Sequence, residues 1–402
     1  MSAEPASLVG VRFEVDVGSV AHGGHCVARH EGRVVFVRHA LPGERAVVQV
    51  TEGHEGSRFL RAEAVSVVTA SDDRVVPPCR FAHPGGCGGC DWQHASIAAQ
   101  RRLKAAVVVE QMQRLGGVDV HVEVEAVPGD VDGLGWRTRV QYAVDPDGHL
   151  GFRRHRSHDV VPIDECLIAH PLVRSSGATA HPWVDRQSVE VLASPSHDRV
   201  LVLPRPAAKA DKPGHVIERA AGRDWRVSGS GFWQVHPGAA DALIDAVLGA
   251  VDVSMGESAV DLYSGVGLFA GLLGERVGPL GSVVAVESSA GAVRDARRNL
   301  HDQPQVRLVH ARVDRWLGSA AAPAHTNVVV IDPPRSGAGR RVVDAVVGLT
   351  PRVIAYVACD PAALGRDTAY LRDAGYALTS LRGFDTFPMT HHVECVAAYL
   401  PA

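Results

Sequence analysis

Hydrophobic and polar positions follow two rhythms along this chain. Over residues 8–67 they alternate with period two, in F-E-V-D-V, R-V-V-F-V-R, R-A-V-V-Q-V and L-R-A-E-A-V, with Gly23-Gly24, Gly32 and Pro42-Gly43 between the runs. Short strands recurring every 8–12 residues or so predict a small antiparallel barrel or sandwich. From about residue 226 the pattern is alternating strand and helix. A helix with Ala242, Leu243, Ala246 and Val247 on one face precedes a strand ending near Asp261, and a second strand ends at Glu287 before a helix to Asn299. Val306–Val309, Val328–Ile331 and Val353–Val357 read as three more buried strands, and two further runs close the chain. That order predicts a doubly wound α/β sheet. Between the two regions, residues 95–115 read as a helix closed by Gly116-Gly117, and residues 136–158 as a hairpin around Asp145-Pro146-Asp147-Gly148. Residues 172–225, with scattered Pro and Gly, predict nothing definite. The expected division is a barrel at 1–67, an α+β middle domain at 68–225 and an α/β domain at 226–402.

Composition narrows the function classes. The 402 residues carry 21% charged side chains and a net charge of −4, so nucleic-acid binding would have to come from a local patch. Only Lys104, Lys209 and Lys212 are lysines, and arginine richness alone is weak evidence for RNA. No apolar run nears the length of a membrane span, and Met-Ser-Ala-Glu-Pro is no signal peptide. A cytoplasmic monomer is expected, in which the seven cysteines serve as ligands or nucleophiles rather than disulfides.

Three stretches carry chemistry. The first is 327–361, where one apolar run ends in Asp332-Pro333-Pro334-Arg335 and the next in Cys359-Asp360-Pro361. If the runs are neighbouring parallel strands, Asp332 and Cys359 share the rim where open α/β sheets bind ligands. A lone cysteine is more often a core thiol. At a strand exit beside aspartate and proline, Cys359 reads as a nucleophile. The second stretch holds Cys79, Cys87 and Cys90, a soft-metal site that lacks one ligand. Cys166 is the candidate fourth, Cys26 lying within the barrel, although His83 or His94 could complete a zinc site. Spacing leaves zinc and 4Fe-4S equally open. The third is the hairpin, whose Arg137, Arg139, Arg153, Arg154 and Arg156 lie beside Tyr142 and Phe152. Such mixtures hold phosphates and stack bases.

Gly265-Val266-Gly267-Leu268-Phe269-Ala270 with Glu287 about twenty residues on fits a dinucleotide fingerprint as well as S-adenosylmethionine. Asp261, ahead of the loop, suits a cationic amino-acid head group and opposes a pyrophosphate. Arg335 stands where methyltransferases acting on exocyclic amines of DNA carry a stacking aromatic.

The barrel stretch V-F-V-R-H-A-L-P-G-E resembles the TRAM domain, an OB-like RNA-binding barrel. Nearly the whole chain resembles the RNA uracil-5 methyltransferase family, through F-W-Q-V, D-L-Y-S-G-V-G, V-E-S, D-P-P-R, A-C-D-P and H-H-V-E-C. The resemblance implies a Rossmann-like class I methyltransferase domain and a methyl group carried from S-adenosylmethionine to carbon 5 of a uridine, in ribosomal rather than transfer RNA. It implies that Gln234, Tyr263, Glu287 and Asp332 line the cofactor and base pocket. It also implies Cys359 as nucleophile, Glu394 as the base that removes the carbon 5 proton, and a 4Fe-4S cluster on Cys79, Cys87, Cys90 and Cys166. Two departures stand out: a longer loop between the first two cluster cysteines, and Leu268 where many members have Asn. The rival readings are a small-molecule methyltransferase, which would need neither barrel nor basic hairpin, and an RNA-binding iron–sulfur protein with a decayed transferase site.

Overall fold

The computed structural model describes residues 6–208 and 214–402; Met-Ser-Ala-Glu-Pro at the start, and Lys209 and Lys212, lie outside them. Strands Arg12–Val20, Cys26–His30, Arg33–Arg38, Arg45–Glu52 and Phe59–Thr69 close into a barrel. Period-two alternation turns Val15, Val17, Val35, Val37, Val48 and Val50 inward, where they form one core with Trp92 and Ala99 from further along the chain. The barrel is not wholly antiparallel as expected: Arg33–Arg38 runs parallel to Phe59–Thr69, and Arg45–Glu52 makes the crossover between them.

Ser96 caps the helix Ile97–Gln111 by accepting from the Ala99 N–H, and Gly117 ends the widened last turn at a left-handed φ of 63°. The hairpin is present: Arg139–Val144 pairs with Leu150–Arg153, and Asp145 Oδ1 accepts from the backbone N–H of Asp147 and of His149. It forms the centre of a five-stranded sheet with Ser188–Ser194, Arg199–Arg205 and Val160–Pro162. His215–Ala220 and Arg223–Ser228 form a separate ribbon.

The carboxy-terminal sheet has eight strands, in the order Val306–His310, Ser282–Glu287, Ser258–Leu262, Val328–Ile331, Val353–Ala358, Glu394–Pro401, Tyr376–Asp385, Val124–Ala126. The first five are mutually parallel and Glu394–Pro401 runs against them. Helices cover both faces, giving two core layers. The amino-terminal half is stitched into this domain. Val124–Ala126 adds the eighth strand, and Val108 of the helix Ile97–Gln111 and Met112 of the widened turn after it join its core. Lys104, wholly buried on that helix, donates to Asp385 Oδ1 at 2.5 Å and to the Phe387 carbonyl at 3.0 Å. Among the described residues no helix is long and apolar enough to cross a membrane.

Candidate active site and cysteine cluster

Strand Val328–Ile331 pairs with Val353–Ala358 through Ile331↔Tyr356, so Asp332 and Cys359 leave neighbouring strands at the same edge. On the other side, Ala358 pairs with Cys395 of the antiparallel strand Glu394–Pro401. One further step in that register sets Cys359 opposite Glu394. A five-residue motif thus carries a carboxylate to the thiol because its strand runs antiparallel, with its start at the carboxyl edge of its neighbours.

Electrostatics follow from burial. The Cys359 thiol is pushed up to about 12, mainly by desolvation; Glu394 adds to this and Arg335 opposes it. Glu394, 5% exposed, is held well above the ordinary carboxylate range by burial and then by Asp332. Asp332, partly exposed at the rim, is itself pushed up to about 7 by burial. Helix Pro361–Asp373 begins directly after the thiol, and Asp360 caps it by accepting from the Ala363 N–H at 2.8 Å. Its other oxygen lies 3.0 Å from Nε2 of His22, on the barrel turn. The turn His22-Gly23-Gly24, together with His391 and His392, walls the Cys359 pocket. Gly24 sits at φ +82°, and a Cβ there would come within 2.7 Å of His391 Cβ. The barrel is therefore part of the pocket wall, which period-two alternation alone could not reveal; the Gly-Gly pair was the one hint of a close approach.

Along the same edge, the strand Ser258–Leu262 gives way to a loop with Tyr263 at φ 64°, Gly265 at 54° and Gly267 at 94°. Tyr263 is held in a conformation that costs a side-chain-bearing residue energy. At Gly267 a Cβ would also meet Leu300 Cδ1 at 2.8 Å, whereas nothing lies within 4 Å of one at Gly265. Glu287 braces the loop, accepting from the N–H of Gly265 at 3.0 Å and of Ser289 at 2.5 Å. Asp261, fully buried, accepts from the Ala270 N–H at 2.9 Å with one oxygen, while the other oxygen and the Ser264 hydroxyl have no partner among the described residues. Burial, then Asp332, raises the Asp261 carboxyl to about 8. Buried polar atoms are normally satisfied, so these two orphans beside an open glycine loop fit a polar, cationic ligand. Tyr263 is half-buried within reach of the Asp314 and Arg312 charges. Gln234 lies in a separate small crevice with Arg139, Glu218 and Trp233, anchored through Val235, whose carbonyl accepts from the Thr138 N–H and hydroxyl.

Cys79, Cys87, Cys90 and Cys166 line one small cavity with Phe81, Phe152 and Ile163. All four are free thiols. Gln93 Nε2 donates to Cys90 Sγ at 3.2 Å and the Gly89 N–H to Cys87 Sγ at 3.4 Å. Among the described residues no three of these sulfurs lie within 4.8 Å of one another. The alternative ligands point elsewhere: His94 Nε2 lies 3.5 Å from the Ala40 carbonyl, His83 Nδ1 2.9 Å from the Pro84 carbonyl, and Cys26 Sγ donates to the Ala40 carbonyl at 3.3 Å.

The basic hairpin divides. Arg139 is turned inward, bonding the Gly229 and Gly231 carbonyls and facing Glu190, so it is not a free phosphate contact. Arg137 donates to the Arg139 carbonyl and borders the cysteine cavity. Tyr142, 2% exposed and stacked on Phe152, is core rather than a base-stacking platform. The sheet buries that face, which the density of charge had concealed. Arg153 is exposed, and Arg154 and Arg156 line an open groove against the barrel residues His25, Arg38 and Arg61.

Comparison with known proteins bears on both halves of the chain. A family model described as TRAM domain matches residues 6–65, and one described as tRNA (Uracil-5-)-methyltransferase matches residues 313–400. A relative from Streptomyces avermitilis named uncharacterized RNA methyltransferase is 50% identical, covering 98% of this chain and 99% of its own. One of the same description from Bifidobacterium longum is 38% identical, covering 97% of each chain. Among solved structures, the Pyrococcus abyssi tRNA (uracil-54, C5)-methyltransferase in complex with S-adenosyl-L-homocysteine superposes with a TM-score of 0.72 at 22% identity, covering 96% of this chain and 99% of that one.

Proposed function

The chain belongs to the RNA uracil-5 methyltransferase family, S-adenosylmethionine-dependent enzymes, and from that premise we propose that it methylates carbon 5 of one uridine through a covalent adduct on Cys359. The observation that carries this reading is the ladder that sets Cys359 opposite Glu394, with Asp332 on the adjoining strand. S-adenosylmethionine, bound along the glycine loop by Asp261, Glu287 and Asp332, would supply an electrophilic methyl group. Carbon 5 of uracil is a weak nucleophile. Addition of the Cys359 thiolate to carbon 6 forms an S–C bond and leaves carbon 5 enolate-like, able to take the methyl. The methyl–sulfonium bond would break as the new C–C bond forms, its electron pair staying on sulfur in S-adenosylhomocysteine, so that carbon 5 then carries a methyl and a proton. Glu394 removes that proton, the electron pair reforms the double bond, and the C–S bond breaks to release the thiolate. A carboxyl held above its usual range is a stronger base once ionised, which suits this step. His392 is a poor alternative, since burial lowers it to about 3. Arg335 favours the thiolate. The target uridine has to leave its stack to reach the pocket, so a loop or single strand is the substrate.

The four cysteines would hold a 4Fe-4S cluster. A single zinc ion with bonds of about 2.3 Å draws its sulfurs to roughly 3.8 Å apart, whereas among the described residues no three of these lie within 4.8 Å of one another, and the surrounding cavity is apolar. The cluster would tie the loop 79–90 to Cys166. RNA would approach along the barrel and Arg153, Arg154 and Arg156, in a monomeric cytoplasmic enzyme. Barrel-plus-cluster architecture supports ribosomal RNA; the Pyrococcus neighbour, named for transfer RNA, supports the second reading. Nucleoside mass spectrometry of both RNA classes, from cells lacking the protein and complemented with wild type or Cys359→Ala, tests the proposal. Loss of 5-methyluridine from one class, restored by wild type alone, is expected. Unchanged 5-methyluridine in both classes would contradict it.

A further inference from the structure

The loop 389–392, which brings Glu394 and two histidines to Cys359, is held in a costly conformation by groups outside the methyltransferase domain. Met389 sits at φ 67°, a left-handed position that persists only where the surroundings over-determine it. Its N–H donates to Gln100 Oε1 at 2.7 Å, and its carbonyl accepts from the N–H groups of Asp91 and Trp92, both at 3.0 Å. Two residues on, Asp91 Oδ2 accepts from the His391 N–H at 3.1 Å and lies 2.6 Å from His391 Nδ1. The Asp91 side chain is 12% exposed, with the Arg38 guanidinium of the barrel 3.6 Å from its other oxygen. From His391 the contacts continue into the pocket. Its ring lies 4.1 Å from that of His392, whose Nε2 is 3.5 Å from Arg335, a cation that favours the Cys359 thiolate. Asp91 and Trp92 directly follow Cys90.

We infer that Asp91 is a positioning residue for the transferase reaction: with Trp92 it clamps the strained 389–392 loop onto the cysteine-cluster segment, so that cluster and catalytic pocket form one mechanical unit. The inference rests on the uracil methylation proposed above for what the pocket does, but not for the clamp itself. One Asp91 oxygen takes both His391 contacts and the other faces Arg38 of the barrel, so among the described residues this 12%-exposed carboxylate bonds nothing in its own loop. Displacing a reacting group by as little as 1 Å can cost about 100-fold in rate, so release of the loop is read in turnover rather than in RNA affinity.

The test uses the full chain, purified anaerobically with its cluster. Asp91→Ala is expected to retain about four iron per chain and to exchange the amide hydrogens of residues 390–393 about tenfold faster. Its kcat should fall about 30-fold with KM for RNA changed less than about threefold. Asp91→Asn, whose amide oxygen can still accept the His391 N–H, should recover part of the loss. His391→Ala, far in sequence from the cysteines, should lose the same kcat, and the double variant no more than either single. Wild-type exchange and wild-type kcat in either alanine variant, or losses that multiply in the double variant, would overturn the inference. If Asp91→Ala sheds its iron, His391→Ala decides alone. The exchange comparison needs neither RNA nor cofactor: a wild-type enzyme that methylates no uracil would sink the functional proposal, while exchange still decides the clamp.

Discussion

Asp261, Asp332 and Glu394 stand along one sheet edge, and each holds its proton more tightly than a solvated carboxyl does. For Asp261, with no exposed surface, the consequence for stability has a definite sign. Unfolded, it loses its proton near about pH 4; folded, only at about 8. Its contribution is therefore complete below the unfolded value and is lost as pH rises through the folded one. Between pH 7 and 8 the Asp261 share of the stability of the apo wild type should therefore fall. Asp261→Asn should remove about 1 kcal/mol of that fall, read by denaturant melts at the two pH values. An equal pH slope in the variant would place the partnerless oxygen in contact with water. At the thiol, Cys359→Ala should bind S-adenosylmethionine and transfer nothing, because the glycine loop and Glu287 are untouched. Glu394→Gln should attack and methylate yet stall, so that methyl-labelled cofactor leaves label on a slow protein–RNA band in denaturing gels. Normal turnover without that band would move the base elsewhere.

At the scale of elements, the site is built from strand ends, and the ends were legible where composition changes abruptly. Val328–Ile331 and Val353–Ala358 are uniformly buried and stop at Asp-Pro and Cys-Asp-Pro, so both the strands and the shared rim could be read directly. The period-two face of the barrel and the capped helix Ile97–Gln111 were equally plain. What could not be read is pairing at a distance. Val124–Ala126 is too short for any period to register, and it is a strand only because Tyr376–Asp385 offers it an edge. Ser188–Ser194 alternates only over its first four residues and lies in a stretch broken by Pro and Gly, so no strand was legible there. Asp91 and His22 likewise look like ordinary loop residues until tertiary structure brings them to the pocket. The glycine loop offers a test at this scale. Gly267→Ala combines a left-handed φ with the Leu300 contact and should cost about 2 kcal/mol, together with weakened cofactor binding by calorimetry. A variant with wild-type affinity would show that the loop tolerates a Cβ.

For the whole molecule, the cysteine cavity couples segments far apart in sequence, and the barrel closes a pocket whose chemistry lies more than 300 residues away. Sequence spacing could not choose between zinc and iron–sulfur; the convergence of Cys166 on the three clustered thiols, with both histidines pointing away, is what the fold adds. Anaerobically purified protein should be brown and hold about four iron per chain with little zinc. Cys166→Ser should lose the iron and lower the melting temperature, because as a cluster ligand Cys166 would tie the loop 79–90 to its own segment. Stoichiometric zinc without iron would contradict the cluster.

The central claim is a covalent bond between Cys359 and carbon 6 of the target uracil. RNA carrying 5-fluorouridine tests it most directly, because fluorine cannot leave as a cation and the adduct cannot resolve. Wild type incubated with S-adenosylmethionine and this RNA should form a denaturation-stable complex, and peptide mass spectrometry should find the methylated fluorouridine on Cys359. No complex under conditions where ordinary RNA is methylated, or a modified nucleotide on Cys395 instead, would contradict it.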